Sequence, residues 1–497
     1  MSKVVIIGSG LGGLSCGYIL QRNGYDVTIL EQATQIGGCL QCFKRRGAKF
    51  ETGMHYIGSA APGQTIDMLM RYFELDRAVE LSALDTRAYN TVHLAGGEFR
   101  FPNGREAFIE QLSEYFPRER DAIVKYIDMV DGIASVSTLS SLTSNQRDIL
   151  VDTEYFSRSM DSVLDELFDD AMLKSVLAGD IPLYAAEKGK TSFSQHAFIM
   201  DFYNQSAFRV VGGSDSIATS LANAIRNMGG RILSNSRVTK ICCDDSRAKG
   251  VETSAGEWYD ADYVIGAIHP NRLLEMLDTK LIRPAFRTRI TSIPQTASSF
   301  VVYVKFKPQT VPYMNTNSFD YMGATPWGCE NYTSENWPKG YLYMHMCHEA
   351  NAVWAESGVV ISYMDIKEVA RWSGTTIGRR GADYETFKRE HAERLIAEVD
   401  KLHPGFAASI EQYYTSTPLT YQDYTGTEAG SLYGVAKDVT LGAAGRVPYR
   451  TRIPNLLLAG QNVNSHGFLG VIVASIVTCS ELVDPQTIYK QINEANR

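Results

Sequence analysis

Three glycines near the N-terminus have a spacing that suits the binding of phosphate groups. Gly8, Gly10 and Gly13 form the pattern G-x-G-x-x-G after an apolar run, and the acidic residue Glu31 ends a second apolar run. The first glycine permits a tight turn, the second lets the backbone approach a pyrophosphate, and the third permits close packing of helix and strand. Free N–H groups at the start of the helix favour phosphate, and Glu31 can accept hydrogen bonds from ribose hydroxyls. The predicted ADP-binding residues are Gly8, Gly10, Leu11, Gly12, Gly13, Glu31 and Gln32.

A second group of glycines indicates that the dinucleotide is FAD rather than NAD. Gly37-Gly38 comes soon after Glu31, and the segment Phe50-Glu51-Thr52-Gly53 follows. An NAD-binding domain would continue into ordinary alternating strands and helices. A close backbone approach and a second glycine-bearing strand are better explained by a long cofactor that extends through the protein. We therefore predict a permanent FAD, bound in part by Gly37, Gly38, Gly53, Met54 and His55.

Two further patterns could suggest redox or metal chemistry, and ordinary roles are favoured for both. Cys39 and Cys42 form a C-x-x-C pair directly after the glycine pair. A redox pair of this kind receives electrons from a separate NADPH domain, and no second G-x-G-x-x-G occurs between residues 150 and 290. In the run His345-Met346-Cys347-His348 the two histidines would face opposite sides of a strand, and no matching ligand cluster exists elsewhere. We predict two unpaired thiols and no metal site.

The elements that position these residues begin with a strand, turn, helix and strand at the N-terminus. Apolar runs predict strands at 4–7 and 27–30, and helical spacing predicts a helix at 14–23. A hairpin that turns at Gly96-Gly97 is predicted within residues 88–101. Residues 106–185 have mostly helical spacing. Helices are further predicted at 214–227 and 384–402, strands at 231–233, 237–242, 263–268, 298–306, 341–346 and 455–459, and an apolar helix after the last strand.

Nucleotide-fold elements therefore occur at the start, in the middle and at the end of the chain. This order predicts an α/β fold with a discontinuous Rossmann-like FAD-binding domain of the glutathione reductase and amine oxidase type. We assign residues 1–75, 206–290 and 435–497 to that domain. Insertions at 76–205 and 291–434 would form a second, α+β substrate-binding domain, with a mostly helical part at about 106–200.

The composition fits a globular protein and excludes some classes of partner. The chain has 497 residues, of which 44% are hydrophobic and 21% charged, and its formal net charge of −8 disfavours a nucleic-acid partner. No segment reaches the roughly 18 continuous apolar residues of a membrane span. The N-terminus lacks the features of a signal peptide. We expect a cytoplasmic protein, with peripheral membrane contact left open and the oligomeric state undetermined.

These motifs resemble those of the phytoene desaturase-like flavoproteins, and within them the retinol saturase and carotenoid isomerase branch. The resemblance covers nearly the whole chain. The segments 53–58 and 430–434 are typical of the branch, whereas the other matches are shared with a wider superfamily that includes amine oxidases. The matching stretches are 4–31, 37–58, 116–119, 211–213, 425–434 and 455–461, with Gly467 and Gly470.

The resemblance implies roles for residues far from the N-terminal turn. Val238 would lie near the adenine, and Gly460-Gln461 beside the pyrophosphate and the ribityl chain. The helix at Gly470-Val471-Ile472 would point its N-terminus at the flavin ring, where it would favour the negative charge of the reduced flavin. The chain departs from the wider superfamily at Ile36 and Cys39, where many relatives carry arginine, and at Gln461, where an acid is common. These departures count against amine oxidase chemistry.

The resemblance implies action on carbon–carbon double bonds of an apolar, conjugated, isoprenoid-like substrate. We favour saturation, with desaturation and cis–trans isomerisation as close alternatives. Saturation adds hydride from the flavin to one carbon and a proton to the other. The candidate proton donors are His55, Tyr56, His196, Tyr433 and His466. Electrons would come from NAD(P)H bound transiently or from another protein.

Two further functions share this type of fold. A flavin amine oxidase would release peroxide with amines in air. A lipid-binding chaperone of the Rab escort and GDP-dissociation-inhibitor type would bind a prenyl group without a working flavin, and the complete glycine turn with Glu31 argues against it.

Overall fold

A computed structural model describes residues 1–135 and 153–497 of the chain. Part of the segment that was predicted to be helical, residues 136–152, lies outside the described residues. The strands are β1 (Lys3–Ile7), β2 (Asp26–Leu30), β3 (Cys42–Arg45), β4 (Ala48–Glu51), β5 (Ile57–Gly58), β6 (Leu81–Ala83), β7 (Asn90–Leu94), β8 (Gly97–Phe101), β9 (Ala207–Val210), β10 (Arg231–Leu233), β11 (Val238–Cys243), β12 (Ala248–Thr253), β13 (Trp258–Asp260), β14 (Tyr263–Gly266), β15 (Ser299–Phe306), β16 (Asn317–Tyr321), β17 (Gly340–His345), β18 (Ser357–Tyr363), β19 (Ile410–Ser416) and β20 (Leu456–Leu458).

The helices lie mainly between these strands and at the C-terminus. They are α1 (Leu11–Arg22), α2 (Thr65–Tyr72), α3 (Arg105–Tyr115), α4 (Arg120–Ser135), α5 (Thr153–Ser157), α6 (Met160–Leu167), α7 (Ala171–Leu177), α8 (Phe193–Gln205), α9 (Asp215–Asn227), α10 (Pro270–Glu275), α11 (Pro284–Thr291), α12 (Ala382–Leu402), α13 (Phe406–Ser409), α14 (Pro418–Thr425), α15 (Gly467–Cys479) and α16 (Pro485–Ala495).

A five-stranded parallel sheet forms the nucleotide-binding part of the fold. Its strand order is β10-β2-β1-β14-β20, so it draws strands from the start, the middle and the end of the chain. Successive residues of β1 enter opposite apolar clusters, Val4 and Ile6 on one face and Val5 and Ile7 on the other, as the pleat of a strand requires. Both faces are therefore covered, which is typical of a parallel sheet in an α/β protein. The predicted fold class is confirmed.

A seven-stranded mixed sheet forms the second large layer. Its order is β19-β15-β18-β17-β16-β7-β8, and β7 pairs in parallel with β16. The hairpin β7–β8 thus joins residues before 105 to strands after 298, which is how two separated insertions build one sheet. The exact boundaries of the two domains stay a prediction.

The predicted elements differ from the observed ones mainly at their ends and in number. Helix α1 begins at Leu11 rather than at residue 14, because its first turn contains two glycines that hide the helical signal. The strands β16, β18 and β19 were not predicted.

A buried carboxylate, Asp320 on β16, joins the sheet to two histidines. Its Oδ1 lies 2.6 Å from His93 Nδ1 and accepts a hydrogen bond from Ser318 Oγ, and its Oδ2 lies 3.7 Å from His403 Nε2. Burial acts to raise the pKa of Asp320, but its contacts with His403 and His93 outweigh burial and hold the pKa below its usual value.

We expect Asp320→Asn to lower stability at neutral pH by about 2 kcal/mol, because a bond to a buried charge is lost. The pKa of Asp320 is lower in the folded protein than in the unfolded chain. The contribution of its carboxylate to stability is therefore fully present above the unfolded pKa, and it is lost as the pH falls through the folded pKa. Melting temperatures of wild type and variant should therefore differ at pH 7 and converge in acid. Asp76→Asn, at an exposed site, is the control. A difference that persists unchanged in acid would contradict this assignment.

Candidate active site

One large cavity runs from the N-terminal glycine turn to the seven-stranded sheet. Its volume is about 1600 Å³. A single small molecule typically occupies a pocket of about 300–1,000 Å³, so this cavity has room for a long cofactor and a second molecule. Its lining changes along its length from glycine-rich backbone to aromatic and apolar side chains.

The glycine turn places a helix N-terminus that has no capping side chain at one end of this cavity. Gly8 has φ +98°, and a Cβ on Gly13 would lie 2.0 Å from the Gly8 carbonyl oxygen, so neither position accepts a side chain. Gly10 caps α1 in an extended conformation, and the space around its missing Cβ is open for 4 Å. The first turn of α1 contains no acidic residue and no side-chain cap. Its N–H groups therefore keep the capacity to bind phosphate.

Glu31 holds the turn in shape from the end of β2. Its Oε2 accepts hydrogen bonds from the Ser9 N–H at 2.9 Å and the Ser9 hydroxyl at 2.6 Å, and its Oε1 accepts one from the Ala33 N–H at 2.8 Å. A carboxylate offers about four acceptor sites, so one remains for a ribose hydroxyl. Glu31 lines the cavity although it is almost fully buried.

Two other glycine segments converge on the same turn. A Cβ on Gly38, at φ +55°, would lie 3.1 Å from Gly10 Cα, and a Cβ on Gly12 would lie 2.8 Å from Gly460 Cα. The Gly37 N–H also bonds to the Ser9 carbonyl oxygen at 3.0 Å. Segments that are distant in sequence thus form one backbone-lined groove, and this groove fits the pyrophosphate and ribityl parts of FAD.

The N-terminus of α15 also faces the cavity. His466 caps this helix without a side-chain hydrogen bond, and the first turn contains no acidic residue, so it too favours negative charge. Phe468 and Val471 line the cavity from this helix.

Most of the predicted cofactor-binding residues line the cavity, and three do not. The lining includes Gly8, Gly10, Leu11, Gly12, Glu31, Gln32, Gly37, Gly38, Gly53, Met54, His55, Val238, Gly460, Gln461 and Val471. Gly13, Gly470 and Ile472 are not in the lining. Gly13 and Gly470 have packing roles instead, because a Cβ on Gly470 would lie 2.7 Å from the Ser465 side chain.

Three of the five candidate proton donors line the cavity, namely His55, Tyr56 and Tyr433. His55 Nδ1 is buried 3.6 Å from Glu51 Oε2 and has no hydrogen-bond partner among the described residues. The Tyr56 hydroxyl donates to Asn90 Oδ1 at 3.3 Å, and burial raises the pKa of Tyr56 well above its usual value. The Tyr433 hydroxyl donates to the Pro182 carbonyl oxygen at 3.1 Å.

His196 and His466 do not line the cavity. Both ring nitrogens of His196 are engaged by tyrosine hydroxyls, Tyr126 at 2.6 Å and Tyr184 at 2.9 Å, and burial lowers the pKa of His196 to about 3. The placement of His196 as a proton donor at the cavity is therefore not supported by the structure, because the helical pattern did not show which face of α8 is buried.

His466 is held as a neutral ring behind Tyr433. The Gln195 amide nitrogen donates to His466 Nε2 at 3.1 Å, which places the ring proton on Nδ1. Burial lowers the pKa of His466 to about 3, and the ring stacks on Tyr433 with centroids 4.5 Å apart. His466 thus fixes the orientation of a tyrosine in the cavity wall.

Cys39 and Cys42 are free thiols in the structure, and both line the cavity. Desolvation raises the pKa of Cys39, and burial raises the pKa of Cys42 to about 12. The buried Cys42 thiol is therefore poorly disposed to ionise, which disfavours thiol–disulfide chemistry of the pair. Within residues 1–135 and 153–497, no group of three or more histidine, cysteine or acidic residues is arranged to hold a metal ion. None of the helices described is long and apolar enough to cross a bilayer.

A wall of tyrosines at the other end of the cavity was not predicted. Three of them, Tyr303, Tyr321 and Tyr363, come from the strands β15, β16 and β18, which present these side chains on the same face of the sheet. The aromatic wall comprises Tyr56, Tyr203, Tyr303, Tyr321, Tyr363, Tyr421 and Tyr433, with Leu183, Leu342, Met344, Ile361 and Leu432 beside them.

The parallel sheet, the converging glycines and the two bare helix N-termini define an FAD-dependent oxidoreductase. The chain belongs to the flavin containing amine oxidoreductase family, whose sequence profile matches residues 11–477. The all-trans-retinol 13,14-reductase of Rattus norvegicus is 28% identical over 98% of this chain and 86% of that protein. Prolycopene isomerase 1 of an Oncidium hybrid cultivar is 23% identical over 95% and 82%. An oxidoreductase from Methanosarcina mazei shares the fold, with a TM-score of 0.65 and 14% identity over 96% of this chain and 100% of the other.

Proposed function

We propose that this protein saturates a carbon–carbon double bond of an apolar conjugated polyene, of the retinoid or carotenoid kind. The observation that carries the proposal is the aromatic wall, which continues directly from the glycine-lined groove in a single cavity. The similarity to retinol reductases and prolycopene isomerases supports the same class of substrate. Bound FAD supplies hydride chemistry to such a site.

The charges around the cavity disfavour an amine substrate. Four carboxylates line the cavity, and each already has a partner. Glu31 is bonded to backbone and hydroxyl groups, and the other three are paired with cations. These pairs are Glu275 with Arg272, Glu385 with Lys388 and Asp423 with Arg380. No lining carboxylate in the described part of the chain is left to bind a substrate ammonium group.

The protein side chains orient the substrate and exclude water. Flat tyrosine rings suit an extended conjugated chain. Their buried hydroxyls keep their protons, because burial raises the pKa of Tyr56, Tyr363 and Tyr421. The aromatic wall therefore provides an uncharged surface along which a polyene lies.

Exposed apolar side chains in the cavity lining support uptake of the substrate from a membrane. Ile377 and Tyr424 line the cavity and are 50% and 57% exposed, and the basic residues Lys388 and Arg389 line the same cavity. Exposed apolar side chains next to basic ones are typical of peripheral membrane contact. We propose a cytoplasmic protein that takes its substrate from a membrane surface, and that receives electrons from transient NAD(P)H or from another protein.

The proposed function is tested by reducing the bound flavin with dithionite under anaerobic conditions and then adding a polyene. We expect retinoid or carotenoid polyenes to reoxidise the bleached flavin and to gain two hydrogens, measured by absorbance and mass spectrometry. Oxidised enzyme with amines in air should release no peroxide. The Gly10→Val variant, without cofactor, is the control for direct reaction with dithionite. A product with changed geometry and unchanged mass would identify an isomerase, and a lack of reoxidation by every polyene would refute saturation.

A further inference from the structure

His55 lines the cavity beside a buried carboxylate, Glu51. The His55 Nδ1 atom is buried 3.6 Å from Glu51 Oε2, a distance typical of an ion pair rather than of a hydrogen bond. Glu51 Oε1 accepts a hydrogen bond from the Ser214 N–H at 3.0 Å, at the start of α9, which fixes the carboxylate in place. Because Nδ1 is on the buried side of the ring, the edge that carries Nε2 is left for the cavity.

Other titratable groups near Glu51 are engaged elsewhere or stay uncharged. Lys49 pairs with Asp215 at 2.5 Å, and His348 Nε2 lies 2.8 Å from the Ser357 hydroxyl. Burial raises the pKa of two nearby thiols, to about 12 for Cys42 and above its usual value for Cys347. His55 is thus the histidine beside Glu51 that lines the cavity.

The hydroxyl proton of the neighbouring candidate, Tyr56, is committed by a chain of hydrogen bonds. Arg209 is fully buried, and its Nη2 donates to Asn317 Oδ1 at 2.9 Å. A guanidinium cannot accept, so this bond fixes the amide of Asn317, whose Nδ2 donates to Asn90 Oδ1 at 2.9 Å. Asn90 Oδ1 lies 3.3 Å from the Tyr56 hydroxyl, and an amide oxygen only accepts. The Tyr56 proton therefore points to Asn90, which does not line the cavity.

The other candidate donors are also engaged or lie away from the cavity. The Tyr433 hydroxyl donates to the Pro182 carbonyl oxygen at 3.1 Å. His196 and His466 do not line the cavity. Of the five candidates, His55 is therefore the one that combines a place in the lining with a ring that no hydrogen bond from the described residues engages.

We propose that protonated His55 is the proton donor of the reaction, and that Glu51 is a positioning residue that holds its ring. This inference rests on the proposed saturation. As one carbon of the double bond accepts hydride from the two-electron-reduced flavin, its neighbour takes the proton from His55 Nε2, so that the π bond is replaced by two C–H bonds. The neutral imidazole then regains a proton from water. Glu51 balances the charge of the protonated ring and keeps Nδ1 on the buried side.

The test follows single-turnover reoxidation of dithionite-reduced holoenzyme by a retinoid or carotenoid polyene between about pH 5 and pH 9. The wild-type rate should fall as the pH rises, because the donor must be protonated. His55→Ala should be about 100-fold slower and should lack that pH dependence. His55→Gln, which keeps a polar side chain but has no proton to transfer, should be equally slow.

Added imidazole distinguishes a proton donor from a structural residue. It should raise the rate of His55→Ala at least about tenfold, because the missing side chain leaves space in the cavity lining for a free ring. His391→Ala is the matched control, because His391 is half-buried like His55 but does not line the cavity. That variant should keep the wild-type rate and should not respond to imidazole. A His55→Ala rate that imidazole leaves unchanged would count against proton donation.

Nitrogen NMR of holoenzyme with labelled histidine provides a readout that does not depend on turnover. The His55 signals, identified by their absence from His55→Ala, should show Nε2 losing its proton as the pH rises while Nδ1, on the side of Glu51, keeps it. Glu51→Gln should reduce this preference for Nδ1, which a purely structural role of Glu51 would not change. A neutral ring that carries its proton on Nε2 in wild type would contradict the assignment.

Tyr56→Phe tests the alternative donor. Asn90 Oδ1 still accepts from Asn317 in this variant, so no buried acceptor is left unpaired. The variant should retain the pH dependence of the wild-type rate. Loss of that dependence, or a wild-type rate in His55→Ala, overturns the assignment of His55 while saturation stands. If no polyene reoxidises wild type, saturation fails and the donor assignment fails with it.

Discussion

Gly10→Val yields a folded protein that binds almost no FAD. The backbone at Gly10 has φ −64° and ψ 175°, a conformation that valine adopts readily, and no heavy atom lies within 4 Å of an added Cβ. The new side chain therefore costs the fold little. It fills instead the space from which a pyrophosphate reaches the N–H groups of α1. We expect FAD affinity to fall at least about 1,000-fold, which corresponds to about 4 kcal/mol.

The measurement is the FAD content of purified protein, with circular dichroism to establish that the variant is folded. Gly132→Val is a matched control, because Gly132 is exposed on α4 and also has open space around its missing Cβ. That variant should retain FAD. A Gly10→Val protein with full FAD content would show that the cofactor does not pass this turn.

Gly10 and Gly13 also show what the sequence could and could not reveal. Their spacing predicts the turn because it is a local pattern, and the structure places both as expected for a nucleotide-binding unit. The sequence does not show why Gly12 is required, since its constraint comes from Gly460, more than four hundred residues later. Close approaches between distant segments leave no local signal in the sequence.

The same reason explains what the sequence leaves open at the site. Residue type can suggest a proton donor, but the tyrosines that engage His196 come from α4 and from the turn after α7, and only the fold brings them together. Asp180 lies in a segment with helical spacing, where an acidic residue is ordinarily exposed, yet it is 1% exposed in the structure. Only the assembled fold shows this burial.

Cofactor binding and substrate contact occupy different parts of the cavity. The glycine-lined groove leaves backbone N–H groups for phosphate, while the aromatic part carries tyrosine hydroxyls whose pKa burial raises. Polar groups that hold FAD are thus separated from the apolar surface that fits a polyene. This division predicts that changes in the groove alter FAD affinity without altering the pH dependence of the reaction.

Glu31→Ala tests the groove at the residue that ties its parts together. Glu31 Oε2 accepts from the Ser9 hydroxyl, whose oxygen lies 3.3 Å from the Gly37 nitrogen that donates to it. Glu31 therefore connects the glycine turn to the glycine pair, in addition to offering one acceptor site to a ribose. Removing the carboxylate leaves the Ser9 and Ala33 N–H groups without this acceptor, and each bond to a charged group is worth about 1.5–3 kcal/mol.

We expect Glu31→Ala to weaken FAD binding about 100-fold, or about 2.7 kcal/mol, measured by fluorescence titration of the apoprotein with FAD. Glu31→Gln should fall between wild type and alanine, because its amide keeps one acceptor oxygen but turns an NH₂ group toward a donor. Glu80→Ala, at an exposed site, should bind FAD like wild type. Ser9→Ala separates the two roles of Glu31, because it removes the hydroxyl through which Glu31 reaches Gly37 and leaves the ribose acceptor in place. The bond from the Gly37 N–H to the Ser9 carbonyl oxygen remains in this variant. A clear loss of affinity in Ser9→Ala would show that Glu31 acts largely by shaping the groove, whereas wild-type affinity in Glu31→Ala would exclude both roles.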